Sequence, residues 1–251
     1  MTIINPLADA NTLLAAGRWA EAEAVLAEAA RGGQAEAALA LGRLALQRGA
    51  WAQAAAWLTQ AREGATDPSA GAFELAWCQL KLGRAREAEA LLADLPPGPA
   101  ALHLLGRARL EVGRGPEARA PLQACGLPAA DLELGWAHWL ADEPREASRA
   151  WQRWLRAGAA DWGTKDALAT WLFLRTGGPQ PDGRPERPAE PVRHLSDWLR
   201  WLLRHGRRAD VEAAWQRGPR LHRGLWEALR PSWEAVLEAE GADPRGRQPG
   251  P

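Results

Sequence analysis

The sequence predicts an all-α protein built from consecutive helix pairs, on two observations. Small and bulky residues recur at fixed offsets from a series of turn residues, and the later part of the chain keeps apolar residues at helical spacing. Gly17, Gly49, Gly83 and Gly113 anchor the first series. Five residues after each comes an alanine, Ala22, Ala54, Ala88 and Ala118, and nine after each comes Leu26, Leu58, Leu92 and Leu122. Asp142 anchors a fifth unit, with Ala147 and Trp151 in the same two slots, and successive alanines lie 32, 34, 30 and 29 residues apart. That period fits one helix pair per repeat. Two helices approach closely only where one presents a small residue at the crossing and a bulky residue fills the next hole, which is what alanine and leucine provide. The turn glycine supplies the left-handed backbone that ends the first helix of each pair.

Upstream of the anchors, Leu41-Gly42, Leu105-Gly106 and Leu134-Gly135 recur, with Leu75-Ala76 as a near match and Asp9-Ala10 in the first unit. Trp19 and Trp51 stand two residues after their turn glycines. This pattern of Leu-Gly, turn Gly, Ala and bulky residue resembles the tetratricopeptide repeat and covers about residues 5 to 157, giving five helical hairpins in residues 1–157. Ala85, Gly115 and Pro144 depart from it where that family usually places an aromatic, and units four and five are shorter than its usual period. Pro121 falls within the second helix of unit four. A proline inside a helix costs about 3 kcal/mol or bends it, so that helix is expected to be short or kinked. The resemblance implies a right-handed superhelical solenoid of antiparallel helix pairs whose concave groove holds another protein or a peptide segment, with no catalysis.

A further helix is expected within 158–176, where Leu168, Trp171, Leu172 and Leu174 form an apolar face and Asp161 can cap the start. Residues 177–191 hold Pro179, Pro181, Pro185, Pro188 and Pro191 among glycines and charges, and are expected to form a linker or loop. Additional C-terminal helices follow over 192–241. Leu195, Trp198, Leu199, Leu202 and Leu203 keep helical spacing up to Gly206, Val211 to Trp215 suggest a second, shorter helix, and a last helix over about 222 to 240 is expected to break before Pro231. The Pro- and Gly-rich residues 242–251 are expected to be disordered.

Composition narrows the function. The 251 residues are 47% hydrophobic, a globular balance, and 31 basic residues against 31 acidic ones argue against a nucleic acid or other polyanion as partner. Two cysteines, Cys78 and Cys125, cannot build a four-thiolate zinc site and read as buried thiols. His103, His138, His194, His205 and His222 are scattered singly, and no phosphate-binding glycine loop, metal-binding helix motif or nucleophile elbow occurs. No catalytic residue, metal or cofactor is therefore expected. No run of 18 apolar residues and no basic, apolar leader is present, so a cytoplasmic protein without membrane spans is expected.

In the tetratricopeptide family the residue after each Leu-Gly pair faces the groove. Here these are Asn11, Arg43, Trp77, Arg107 and Trp136, with Phe73, Lys81, His103 and Trp139 one turn away on the same first-helix face. Guanidinium alternating with indole suits an extended peptide: Arg pairs with carboxylates and carbonyls, and Trp offers a large rigid contact. Chaperone-type members hold a terminal carboxylate with Lys, Asn and Arg. Only Asn11 matches that set, because Leu7, Ala40, Ala70 and Glu74 stand in the other slots. An alternative function is a sensor that encloses a small ligand between the repeats and the C-terminal helices. It draws on the 15 tryptophans, most of them late in the chain, although Trp151, Trp154, Trp171, Trp198 and Trp215 have packing positions.

Overall fold

A computed structural model describes residues 5–67, 69–158, 162–177, 189–239 and 241. Among them the chain forms fourteen α-helices, one short 3-10 turn and no strand, in two compact units, Met1–Glu133 and Leu134–Pro251. The first unit holds α1 (Pro6–Ala15), α2 (Trp19–Arg31), α3 (Ala35–Gln47), α4 (Trp51–Gly64), α5 (Ala72–Lys81), α6 (Ala85–Ala93), α7 (Pro99–Glu111) and α8 (Gly115–Ala124), each packed on the next. The division falls within α9 (Ala130–Leu140), so the fifth helix pair, completed by α10 (Pro144–Arg156), lies almost wholly in the second unit. That unit continues with α11 (Trp162–Thr176), α12 (Ala189–Arg204), α13 (Arg208–Arg217) and α14 (Arg223–Ala239). Pro6, Pro99 and Pro144 each open a helix, where a missing N–H costs nothing.

The turns close alike because their backbones do. Gly17, Gly49, Gly83 and Gly113 have φ of 73°, 71°, 75° and 87°, and Asp142 joins them at 58° as the one described non-glycine residue with positive φ. After each, the next N–H reaches back five residues: Arg18 to the Leu13 carbonyl (2.8 Å), Ala50 to Ala45 (3.0 Å), Arg84 to Gln79 (2.8 Å), Arg114 to Arg109 (2.8 Å) and Glu143 to His138 (2.9 Å). This is the Schellman closure, which satisfies carbonyls that the helix end leaves open. The turn between α12 and α13 repeats it at Gly206 (φ 72°), with Arg207 donating to the Leu202 carbonyl at 2.9 Å.

Inside each pair a bulky side chain of the second helix seats on a small residue of the first. Ala22, Ala54, Ala88, Ala118 and Ala147 are all fully buried, as are Leu26, Leu58 and Trp151 in the bulky slots, and Leu92 and Leu122 are nearly so. The receiving notch is the glycine of Leu-Gly. A Cβ on Gly42 would lie 2.6 Å from Leu58 Cγ, one on Gly106 2.4 Å from Leu122 Cγ, and one on Gly135 2.0 Å from Trp151 Nε1. The first and third pairs carry alanine in place of the glycine: Ala10 and Ala76 share their cores with Leu26 and Leu92.

The helix carrying Pro121 is short, ten residues, but it runs on past the proline. Pro121 has no N–H for the Glu117 carbonyl one turn back, and Arg109 Nη1 donates to that carbonyl at 2.9 Å instead. Arg109 also reaches Glu89 Oε1 at 3.2 Å, and Arg114 Nη1 holds both oxygens of the same carboxylate at 2.9 and 3.0 Å.

In the second unit α10 is strongly amphipathic: Ala147, Ala150, Trp151 and Trp154 are buried at i, i+3, i+4 and i+7, while Arg145, Arg149, Arg153 and Arg156 are exposed. Two sequence expectations need correction. The last helix does not break at Pro231, because Leu225, Leu229, Trp233, Val236 and Leu237 form one buried stripe that holds both halves while the proline stays exposed. Helix α12 begins at Ala189, so Ala189 to Pro191 belong to its first turn rather than to the linker, a place where proline leaves no bond unmade. The rest of the proline-rich stretch from residue 178, Asp161 and the tail from residue 242 lie outside the described residues.

Two predictions follow from this packing. Gly135→Ala should destabilise by roughly 1 to 3 kcal/mol, despite the better helix propensity of alanine, because the facing indole is rigid and enclosed. Gly42→Ala and Gly106→Ala should cost less, since leucine can turn, and a Gly135→Ala protein that unfolds in denaturant like the parent would rule out the notch. Arg109→Ala should cost about 1 to 2 kcal/mol, and less in a Pro121→Ala background, where the restored N–H takes over the Glu117 carbonyl. A double-mutant cycle with no coupling would exclude that role for Arg109.

Candidate functional site

The first-helix face of the first unit carries most of the expected groove residues. Arg43 on α3 is exposed, and its Nε donates to Glu74 Oε1 on α5 at 2.9 Å, tying two first helices together. Phe73 and Trp77 are half-buried against the core of Ala76, Ala88, Leu92, Leu104 and Ala108, so each is anchored on one side and open on the other. Lys81, one turn after Trp77, is exposed, and its Nζ lies 5.1 Å from the Trp77 ring centre and 5.7 Å from that of Trp51 on α4. The negative faces of two indoles thus hold one ammonium. Trp51 was legible as a turn aromatic, but its contact with a residue thirty positions on was not.

On α7, His103 Nε2 lies 3.4 Å from Glu133 Oε2, within ion-pair reach but outside hydrogen-bonding geometry, with both atoms closed to solvent. Arg107 is half-buried. Among the described residues neither Arg107 nor Lys81 has a carboxylate within the 4.0 Å of an ion pair. Asn11 on α1 is exposed.

Trp136 and Trp139 stand elsewhere. They were expected on the groove face, and both are buried in the second unit, 6% and 5% exposed. The Trp136 ring centre lies 4.9 Å from Trp151, 6.0 Å from Trp171, 5.3 Å from Trp198 and 5.6 Å from Trp201. The reason is local: α11 and α12 bring Trp171, Trp198 and Trp201 against this side of α9, and indoles are large enough to fill the space. Trp139 Nε1 donates to Asp210 Oδ2 at 2.9 Å, and the same buried carboxylate accepts Arg207 Nε at 2.7 Å and Arg175 Nη2 at 2.6 Å. Burial, with Arg207 and Arg217 nearby, pulls the Arg175 guanidinium below its usual range against the attraction of Asp210. Burial also opposes the charge of Arg207, but hydrogen bonds to Asp142 and Asp210 outweigh it and hold Arg207 above its usual range. Arg207 Nη1 reaches Asp142 Oδ1 at 2.7 Å, which explains why this turn carries aspartate: glycine has the backbone freedom but no carboxylate.

Cys78 and Cys125 are both buried, and burial pushes the Cys78 thiol up to about 11. Among the described residues no group of three or more His, Cys, Asp or Glu could hold a metal ion, and no helix is long and apolar enough to cross a membrane. Compared with known proteins, the sequence matches no family model, and no curated protein matches it.

The two kinds of tryptophan should separate in stability. Trp136→Ala should cost about 3 to 5 kcal/mol, as for a large core side chain, and Trp77→Ala only about 1 to 2 kcal/mol. Thermal melts of the two variants decide this, and a Trp136→Ala protein melting with the parent would mean that its ring is not part of the core.

Proposed function

We propose that the chain is a helical-repeat scaffold of tetratricopeptide type, with antiparallel pairs in a right-handed array, that binds a segment of another protein on the first-helix face of residues 1–133 and catalyses nothing. The observation that carries this reading is the row Arg43, Trp77 and Arg107, three first-helix positions in the same slot of successive repeats. All three keep surface while the equivalent Trp136 is buried. Phe73, Lys81, His103 and Asn11 belong to the same face; Trp136 and Trp139 do not. An anchored indole beside cations presents rigid area and charge together, the combination that dominates binding at protein interfaces. The repeat supports this use, since the notched helix crossings fix the spacing of successive first helices without drawing on the residues between them.

Trp77→Ala combined with Arg107→Ala should reduce capture of the partner from native lysate by about thirtyfold or more, on the basis of ~2 kcal/mol for one well-placed interface residue. The melting temperature should fall by only a few degrees, in keeping with the roughly 1 to 2 kcal/mol expected for Trp77→Ala. A normally folded double variant that captures the same proteins in the same amounts would place the binding surface elsewhere.

A further inference from the structure

We infer that the segment held on this face is acidic, with its carboxylates on Lys81 and Arg107 and an apolar side chain on Trp77; this rests on the face being a partner-binding surface. Lys81 is not a freely waving lysine. Two indoles hold its ammonium, at 5.1 and 5.7 Å, so part of the entropy that a long side chain loses on binding is already lost. An ammonium has three N–H donors and a guanidinium five, and neither Lys81 nor Arg107 has an ion-pair partner among the described residues. Of the nearby carboxylates, Glu74 is held by Arg43, and Glu133 stands beside His103 with its Oε2 closed to solvent. Among the described residues of this part of the face that form no ion pair, two cations, Lys81 and Arg107, stand against one carboxylate, the exposed Glu111 one turn beyond Arg107.

Trp77 stands one turn before Lys81 on α5 and in the same repeat slot as Arg107 on the adjacent α7. An apolar side chain on the indole therefore brings its flanking residues over the two cations. A basic segment would meet like charge there, and a neutral one would cover both cations without replacing the water they lose.

The test uses three rhodamine-labelled, end-capped decapeptides that alternate phenylalanine with aspartate, asparagine or lysine, titrated with the full chain by fluorescence anisotropy in low and high salt. The aspartate peptide should bind at least about tenfold more tightly than the asparagine peptide, the lysine peptide should not bind, and salt should weaken the complex. Lys81→Ala and Arg107→Ala should each weaken aspartate-peptide binding about fivefold, with Lys81→Arg close to the parent and all variants melting normally. The acidic assignment is overturned if the aspartate peptide fails to bind, if the asparagine peptide binds equally well, or if Lys81→Glu with Arg107→Glu leaves binding unchanged. Should the asparagine or lysine peptide bind and depend on Trp77, the partner-binding face survives and only the charge assignment falls. If no peptide binds and partner capture is also insensitive to Trp77 and Arg107, both fall.

Discussion

The seating of one bulky side chain on one small residue at each helix crossing is the contact on which the rest of the structure depends. Leu58 over Gly42, Leu122 over Gly106 and Trp151 over Gly135 leave no room for a single added carbon. Each such contact fixes the separation of two helices, and buries a side chain that stabilises by about 1.5 to 3 kcal/mol when removed from water. Because the neighbouring alanine five residues after each turn is also fully buried, the register of the second helix has little freedom to slide. The turn residues serve the same end. Their left-handed backbone returns the chain at one angle each time, whether the residue is glycine or Asp142.

Polar side chains then repair what this packing leaves open, and they do so with arginine. Arg109 takes the carbonyl freed by Pro121 and, with Arg114, holds Glu89. Arg207 joins the carboxylates of Asp142 and Asp210, while Arg217 donates to the Leu174 and Arg175 carbonyls at the end of α11. A planar guanidinium with several donors can close two or three such groups at once, which a lysine ammonium cannot do with the same geometry. Part of the arginine in this chain therefore has a structural use. Lys81 is the contrasting case: among the described residues no carboxylate or carbonyl takes it, and two indoles hold it at the surface.

The same sequence slot has two outcomes in the two units. Trp77 and Trp136 both follow the small residue of a first helix, yet one keeps a free face and the other is enclosed by Trp151, Trp171, Trp198 and Trp201. What differs is the helices that come next. Trp77, followed by another pair of the same kind, keeps part of its surface, whereas α11 and α12 bring their own tryptophans onto Trp136.

The sequence by itself determined the helix pairs, their turns and the buried small and bulky slots, because these are written in contacts between residues close along the chain and in backbone freedoms that belong to single residue types. It also placed α11 and α13, whose apolar stripes are self-contained. It could not show that α14 continues through Pro231, since the energy opposing the break comes from a stripe packed against other helices. Nor could it separate Trp77 from Trp136, or join Trp51 to Lys81 and Asp142 to Arg207. Those pairings span tens of residues, and only the tertiary structure decides which side chains meet across such distances and which keep their water.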